Sequence, residues 1–265
     1  MFERTSPAMT DIPSPSRSAA SVIVIRHNPA GAPHVLMIER AEGMQFAGGA
    51  MVFPGGGVDD MDREHAALIA SGGDVEELAA RIAAVRETIE ECGLALGISG
   101  GQADAGHGAA FRAALKSGMG LAHAAAALGL ALDFSGLIPF ARWCPPVNTA
   151  YRRYDTRFFL AVIDEVPVDL APDGSETVRL VWHTAREVLD EDEAGRARII
   201  FPTRRNLERL AQYESIEALV AHTQAHRADL IEPWVEVRGG IKHLCIPEGL
   251  GYPVTAEPLS SVQRI

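Results

Sequence analysis

Several things are scarce in this chain, and each scarcity removes a class of function. Among 265 residues there are only three cysteines, Cys92, Cys144 and Cys245, an odd number with no paired spacing. That argues against a disulfide framework or a zinc ribbon and fits a reduced, cytoplasmic setting. Positive charge is short as well: 24 Lys and Arg stand against 35 Asp and Glu, a formal net charge of −11. Neither nucleic acid nor an anionic membrane surface attracts such a chain, so neither is an expected partner. An anionic substrate would need local arginines or a metal to override the overall field. The nine histidines show no HExxH or other ligand spacing. One apolar run, residues 120–140, is long enough to span a bilayer, but it is mostly Ala and Gly and contains His123 and Asp133. It reads as a helix of a soluble domain followed by a strand.

What is present is an ordinary globular composition, 47% hydrophobic and 22% charged, in a length that suits one enlarged domain. Residues 1–19 are rich in Ser and Pro without an apolar stretch and are expected to be a disordered lead. A single domain is expected over 20–255, with a tail over 256–265 that carries no targeting signal. "SVIVIRH" and "HVLMIER", separated by the turn-rich "NPAGAP", predict a hairpin. "GAMVF" leads into "PGGGVDDMD", whose acidic end is expected to cap an inserted polar stretch. A helix follows from Val75 to Cys92, closed by Gly93. Residues 98–131 are Ala- and Gly-rich with two helical patterns, and are expected to cover one side of the core as a helical insertion. "SGLIPFARW", "TRFFLAVI" and "TVRLVWHT" predict strands. Helices are expected near Ala185, near Thr203 with Pro202 just before it, and near Ser215, then a late hairpin at "WVEVRGGIKHLCIP". Strands before and after a central helix make a mixed α/β domain.

The 75–92 helix carries the chemistry. Glu87, Glu90 and Glu91 share one face at 3.6 residues per turn, opposite Leu78, Ile82, Val85 and Ile89. They crowd the C-terminal end, where the helix dipole disfavours negative charge. A solvated acidic face accounts for glutamates elsewhere on a helix. Here the placement costs stability, and a bound divalent cation with oxygen ligands explains it better.

These residues support a resemblance. "FPGGGVDD" at 53–60 followed by "RETIEECGL" at 86–94 is similar to the Nudix box, G-x5-E-x7-R-E-U-x-E-E-x-G-U, where U is a bulky aliphatic. Arg86, Glu87, Glu90, Glu91, Gly93 and Leu94 match its second half, with Thr88 at the first aliphatic position. Gly56 lies thirty positions before Arg86 instead of fourteen, so about sixteen residues are inserted. At the nominal position of the middle glutamate stands Leu78, and Asp59, Asp60 and Glu77 remain open as partners for Arg86. The expanded box, with "ARWCPPVNTAYRRYDTRFFLAVI", "VWHTAREVL" and "FPTRRNLERL", resembles the Nudix branch that includes a mammalian peroxisomal coenzyme A diphosphatase.

The resemblance implies the Nudix fold, a mixed sheet sandwiched between helices with extra helices toward the C-terminus, and hydrolysis of a diphosphate bond with Mg²⁺ or Mn²⁺. It makes Glu87, Glu90 and Glu91 metal ligands, with the Gly55 carbonyl as a further ligand, and Arg86 the group that orients them. Gly55 and Gly56 would let the backbone approach metal or phosphate. Relatives place an additional catalytic carboxylate near Glu176, where a capping or exposed glutamate is the alternative. Arg40, Arg152, Arg153 and Arg157 are candidates for phosphate contacts, against the plainer reading of surface arginines. Cys92, at a variable position of the motif, reads as a packed thiol. The expected partner is a small nucleotide-derived diphosphate: coenzyme A or an acyl derivative first, otherwise a nucleotide sugar, dinucleoside polyphosphate or nucleoside triphosphate. A non-catalytic nucleotide sensor on the same fold is the reading from another class. The Ala-rich insertion is expected to form a lid or a homodimer contact around the site.

Overall fold

The computed structural model describes residues 16–44, 47–70, 72–99, 107–146, 153–167 and 170–262. In chain order these form β1 (Arg17–Arg26), β2 (His34–Arg40), β3 (Met51–Val52), β4 (Gly55–Gly57), α1 (Asp60–Ile69), α2 (Val75–Cys92) and β5 (Ile98–Ser99). The insertion supplies α3 (His107–Lys116) and α4 (Leu121–Ala127), and β6 (Ala131–Leu132) closes it by pairing with β5. There follow β7 (Ile138–Trp143), β8 (Tyr154–Ile163), β9 (Thr177–Thr184), α5 (Ala185–Glu193), α6 (Phe201–Leu210) and α7 (Ile216–Ala225). The chain continues through β10 (Leu230–Ile231), β11 (Trp234–Arg238), β12 (Ile241–Cys245), β13 (Ala256–Pro258) and α8 (Leu259–Val262).

The main sheet is mixed, ordered β10-β7-β8-β1-β2-β3, with β4 also on β1 and β9 also on β2. β1 sits at its centre, parallel to β8 along its whole length and antiparallel to β2. Such a strand is covered on both faces, so its apolar residues do not alternate with polar ones but divide between two cores. Ala20, Val22 and Val24 pack with Ile82, Val85 and Ile89 of α2 and with Phe159 of β8. Ile23 and Ile25 turn the other way, against Leu189 of α5, Leu207 and Leu210 of α6 and Leu219 of α7. The arrangement is the expected mixed sheet between two helical layers. The insertion covers one side, since Phe111, Leu115, Leu121 and Ala124 all belong to the α2-side core.

Three details differ from the sequence reading. The polar stretch after the glycines is helix α1, capped by Asp59 and Asp62 in a reciprocal capping box. Its periodicity is faint because it buries little: only Asp62 and Ala66 are buried. β1 starts at Arg17, so residues 17–19 are strand rather than lead; residues 1–15 lie outside the described residues. Pro202 is inside the first turn of α6 rather than before it, where its missing N–H costs no helical hydrogen bond.

Phe159 lies between the sheet and α2, 1% exposed, with the Arg81 guanidinium 4.9 Å above its ring. Phe159→Ala should therefore cost about 3–5 kcal/mol, read as a lower urea midpoint at an unchanged slope.

Candidate active site

α2 positions the glutamates, and both its ends are specified by sequence. Asp74 caps the first turn by accepting from the N–H groups of Glu76 and Glu77. Gly93 ends the helix at φ 78°, a left-handed conformation that glycine adopts without Cβ strain, and its N–H donates to the Ile89 carbonyl at 2.8 Å. The last turn of α2 contains no basic residue. Positive charge reaches it from elsewhere: Arg40, at the end of β2, is 3.5 Å from Glu91, and Arg112 of α3 donates to the Ile89 carbonyl. The open carbonyls of Glu91 and Cys92 accept from the backbone N–H groups of Asp173 and Ala171, at 3.0 and 3.1 Å.

Arg86 organises the centre. Its Nε and Nη2 meet the two oxygens of Asp62 at 3.2 and 2.9 Å, a bidentate pair whose side chains are 9% and 2% exposed. Nη2 also donates to the Gly57 carbonyl at 2.9 Å. Nη1 spans Glu87 and Glu90, at 2.9 and 3.0 Å. Burial alone would lower the Arg86 pKa, but Asp62, Glu87 and Glu90 more than offset it, and the net direction is upward. Among the partners left open by the sequence, Asp59 stands at 3.6 Å. Asp60 is nearly fully exposed beside Arg63, and Glu77 pairs with Arg81 and Arg157. The principal partner is Asp62, which the spacing argument missed by counting backward from Arg86. Counted forward, Gly56-x5-Asp62 satisfies the first half of the box with aspartate for glutamate, and the insertion falls between Asp62 and Arg86.

The glycine segment is a short strand on β1, Ser21 opposite Gly55 and Ala20 opposite Gly56. A side chain at Gly56 would collide with the Glu87 carboxylate, and one at Gly55 with the Ala20 carbonyl and Ser21. Gly55 engages the cluster through its N–H, which donates to Glu91 Oε2 at 2.8 Å. Burial pushes the Glu91 pKa up to about 8; the Gly55 N–H opposes this and repulsion from Glu87 adds to it. Glu87 is raised to about 7, again chiefly by burial and against the pull of Arg86, and Glu90 is raised for the same reason.

Glu176 comes close enough for its charge to disfavour ionised Glu91. Its turn is set by Asp173, whose carboxylate accepts from the N–H groups of Ser175, Glu176 and Thr177, and by Ala41, whose N–H donates to the Glu176 carbonyl at 2.8 Å. The sequence-predicted arginines divide. Arg40 joins the cluster, and its Nε is buried with no hydrogen-bond partner among the described residues. Arg157 meets Glu77 at 3.4 Å, ten residues and about 15 Å along α2 from Glu87. Arg153 is buried against the Pro145 carbonyl and Glu232. Neither is brought to the glutamates: Arg157, on β8, faces the opposite end of α2, and Arg153, just before β8, faces the segments that follow β7 and β10. Arg152 lies outside the described residues. Cys92 is a packed thiol, fully buried, with its Sγ donating to the Thr88 carbonyl.

The donor set suits a hard divalent cation. Buried Glu91 lies beside the partly buried Glu87 and Glu90, the arginine shared by Glu87 and Glu90 is already committed to Asp62, and the raised pKa values of Glu87 and Glu91 record the cost of keeping these carboxylates ionised away from water. As the side chains stand, no three acidic, histidine or cysteine groups among the described residues converge on one metal position. Arg86 occupies the space between Glu87 and Glu90, and Glu91 is turned to Gly55.

Known proteins resemble this chain in sequence and in fold. A family model described as the NUDT19 Nudix domain matches residues 71–210. Nudix hydrolase 7 of Caenorhabditis elegans is 32% identical over 199 residues, covering 74% of this chain and 61% of that protein. Acyl-coenzyme A diphosphatase NUDT19 of Gallus gallus is 26% identical over 181 residues, 61% of this chain and 48% of its own length. The chain thus spans less than two thirds of either relative. The crystal structure of a Nudix hydrolase from Alicyclobacillus acidocaldarius superposes with a TM-score of 0.65 at 31% identity, covering 81% of this chain and 97% of that one.

Two outcomes follow from the site. Asp62→Ala leaves Arg86 buried without its bidentate partner and should cost about 3 kcal/mol, measured by urea denaturation. The second concerns pH in metal-free protein. Carboxylates raised from 4.5 to about 7 and about 8 hold more protons in the folded than in the unfolded chain across that window. Stability therefore falls as pH rises from about 5 to 8.5, and a Tm series should show a shallower fall in Glu91→Gln. An equal or steeper fall in that variant would contradict the burial argument.

Proposed function

Since this chain belongs to the Nudix hydrolase family, we propose that its substrate is coenzyme A or an acyl-coenzyme A, hydrolysed at the diphosphate bond to adenosine 3',5'-bisphosphate and (acyl-)phosphopantetheine. The observation that carries the reaction is the cluster of Glu87, Glu90 and buried Glu91 beside an arginine fixed by Asp62. The choice of substrate is supported by the match to the NUDT19 Nudix domain and by the activity named for the Gallus gallus relative.

In this reading Glu87, Glu90 and Glu91 would hold Mg²⁺ or Mn²⁺. A divalent ion supplies neutralisation of the diphosphate oxygens, which otherwise repel a nucleophile. The chain's own residues do the remainder. Asp62 keeps the Arg86 guanidinium in place, so the carboxylates are presented from a fixed base. Gly55 N–H orients Glu91, and the absence of a side chain at Gly56 leaves room for Glu87 against the backbone. Arg40, 3.5 Å from Glu91, would meet a substrate phosphate. Glu176, whose charge acts on Glu91, would accept a proton from water.

The test is mass spectrometry of products from coenzyme A thioesters, nucleotide sugars, dinucleoside polyphosphates and nucleoside triphosphates with Mg²⁺ or Mn²⁺. Wild type should release adenosine 3',5'-bisphosphate, and Glu91→Gln should lower kcat at least about 100-fold while keeping its far-UV spectrum. Cleavage of a different diphosphate replaces the substrate and keeps the site. Ligand-induced stabilisation with no cleavage of any compound would favour a sensor.

A further inference from the structure

The Ala- and Gly-rich insertion meets α2 at its functional end. Gly108, near the start of α3, lies so close to the Gly93 carbonyl that a Cβ on Gly108 would collide with it. One turn on, Arg112 reaches past this contact with two donors aimed at two different segments. Its Nε donates to the Ile89 carbonyl of α2 at 3.2 Å, and its Nη2 to the Ala171 carbonyl at 2.7 Å. The loop on which Ala171 lies is itself laid along the end of α2, through Ala171 N–H to the Cys92 carbonyl and Asp173 N–H to the Glu91 carbonyl. Two residues further, the Asp173 carboxylate gathers the N–H groups of Ser175, Glu176 and Thr177.

We propose that the insertion is a fixed strut on the catalytic helix, and that its Arg112 is a positioning residue that holds the 171–177 loop, and with it Glu176, against Glu91. The proposal rests on the hydrolase reading of the site and deepens it. The guanidinium is the side chain for this task, because its planar fork serves two carbonyls at once and its charge lies at the negative end of the α2 dipole. A lysine can supply the charge but only one point of attachment. A lid that swings open is the competing role for the insertion, and the packing opposes it. Phe111, Leu115, Leu121 and Ala124 are buried in the same core as Ile82, Val85 and Ile89. Arg81 of α2 also donates to the carbonyls of Phe134 and Leu137, just beyond the insertion's closing strand. Movement of α3 would expose that core and part Arg112 from the Ile89 and Ala171 carbonyls.

The experiment has a structural arm and a catalytic arm. In metal-free full-length protein, Arg112→Ala should speed amide exchange at Ala171 and Asp173 about tenfold or more and leave amides in the middle of α2 unchanged. Equal acceleration along α2, or none at 171–173, overturns the tie. With the panel compound that wild type cleaves best, Arg112→Ala should lower kcat about 10- to 100-fold at a KM within about twofold, and Arg112→Lys should recover part of the loss. In a Glu176→Gln background the same change should have no further effect on kcat. Additive losses, a loss confined to KM, or a Glu176→Gln variant with undiminished kcat would each overturn action through Glu176. Should wild type cleave nothing, the hydrolase reading fails, while the exchange result still decides whether Arg112 holds the loop.

Discussion

The arrangement depends on one buried ion pair. Asp62 belongs to α1, Arg86 to α2, and the carbonyl that accepts from the same guanidinium, Gly57, to β4. Asp62 is also committed locally, since its Oδ2 accepts from the Asp59 N–H in the capping box of α1. A single guanidinium therefore registers the glycine strand, the inserted helix and the glutamate-bearing helix against one another. Pairs this buried contribute little net stability, because desolvating two charges offsets most of their attraction. Their value is in geometry: losing one partner strands the other, so competing arrangements of the three elements are strongly disfavoured.

Around that pair the protein accumulates negative charge that it does not neutralise. Glu87, Glu90 and Glu91 lie at the wrong end of a helix for carboxylates, and α2 has no base in its last turn. The fold supplies Arg40 from β2, Arg112 from α3 and the Gly55 N–H from β4, each from a different element. Even so, Glu87 and Glu91 remain raised to about 7 and about 8, so the balance is incomplete by design of the surroundings. A site of this kind is destabilised when ionised and empty. A cation held there, as proposed, would relieve it and link the folding cost of the cluster to the affinity it can express.

Much of this was legible because local rules carried it. The helix from Val75 to Cys92 and its Gly93 terminus were readable from apolar periodicity and a glycine stop, and the strands of the main sheet from their β-branched runs. The glutamates were legible as a site because their position conflicts with the dipole. What escaped depended on partners from distant segments. Whether Arg157 faces substrate or Glu77, and whether Arg153 faces solvent or the Pro145 carbonyl, is decided by the pairing of β8 with β1 and β7. No spacing along the chain encodes that. α1 escaped for the opposite reason: a surface helix burying one alanine and one aspartate leaves almost no hydrophobic signature, and only "DDMD" announces its cap.

Asp62 is the instructive case, because a motif expressed as a spacing was interrupted while the contact it encodes was kept. Twenty-three residues separate Asp62 from Arg86, where the pattern has seven. For a flexible loop the added closure entropy grows only with the logarithm of length, about 1 kcal/mol for this extension. The extra residues are also not left flexible. Most of them are α1 and the first turns of α2, joined by Arg63 of α1 to Glu76 of α2 at 3.4 Å. The extra residues thus carry their own ordering, and the first turn of α1, just before them, supplies the carboxylate itself. An intervening segment of any length that returns the chain to the same guanidinium would satisfy the same constraint. In a chain built this way the invariant is the set of groups that Arg86 must meet, and residue counts preserve it only on the side where nothing was inserted, from Gly56 forward to Asp62.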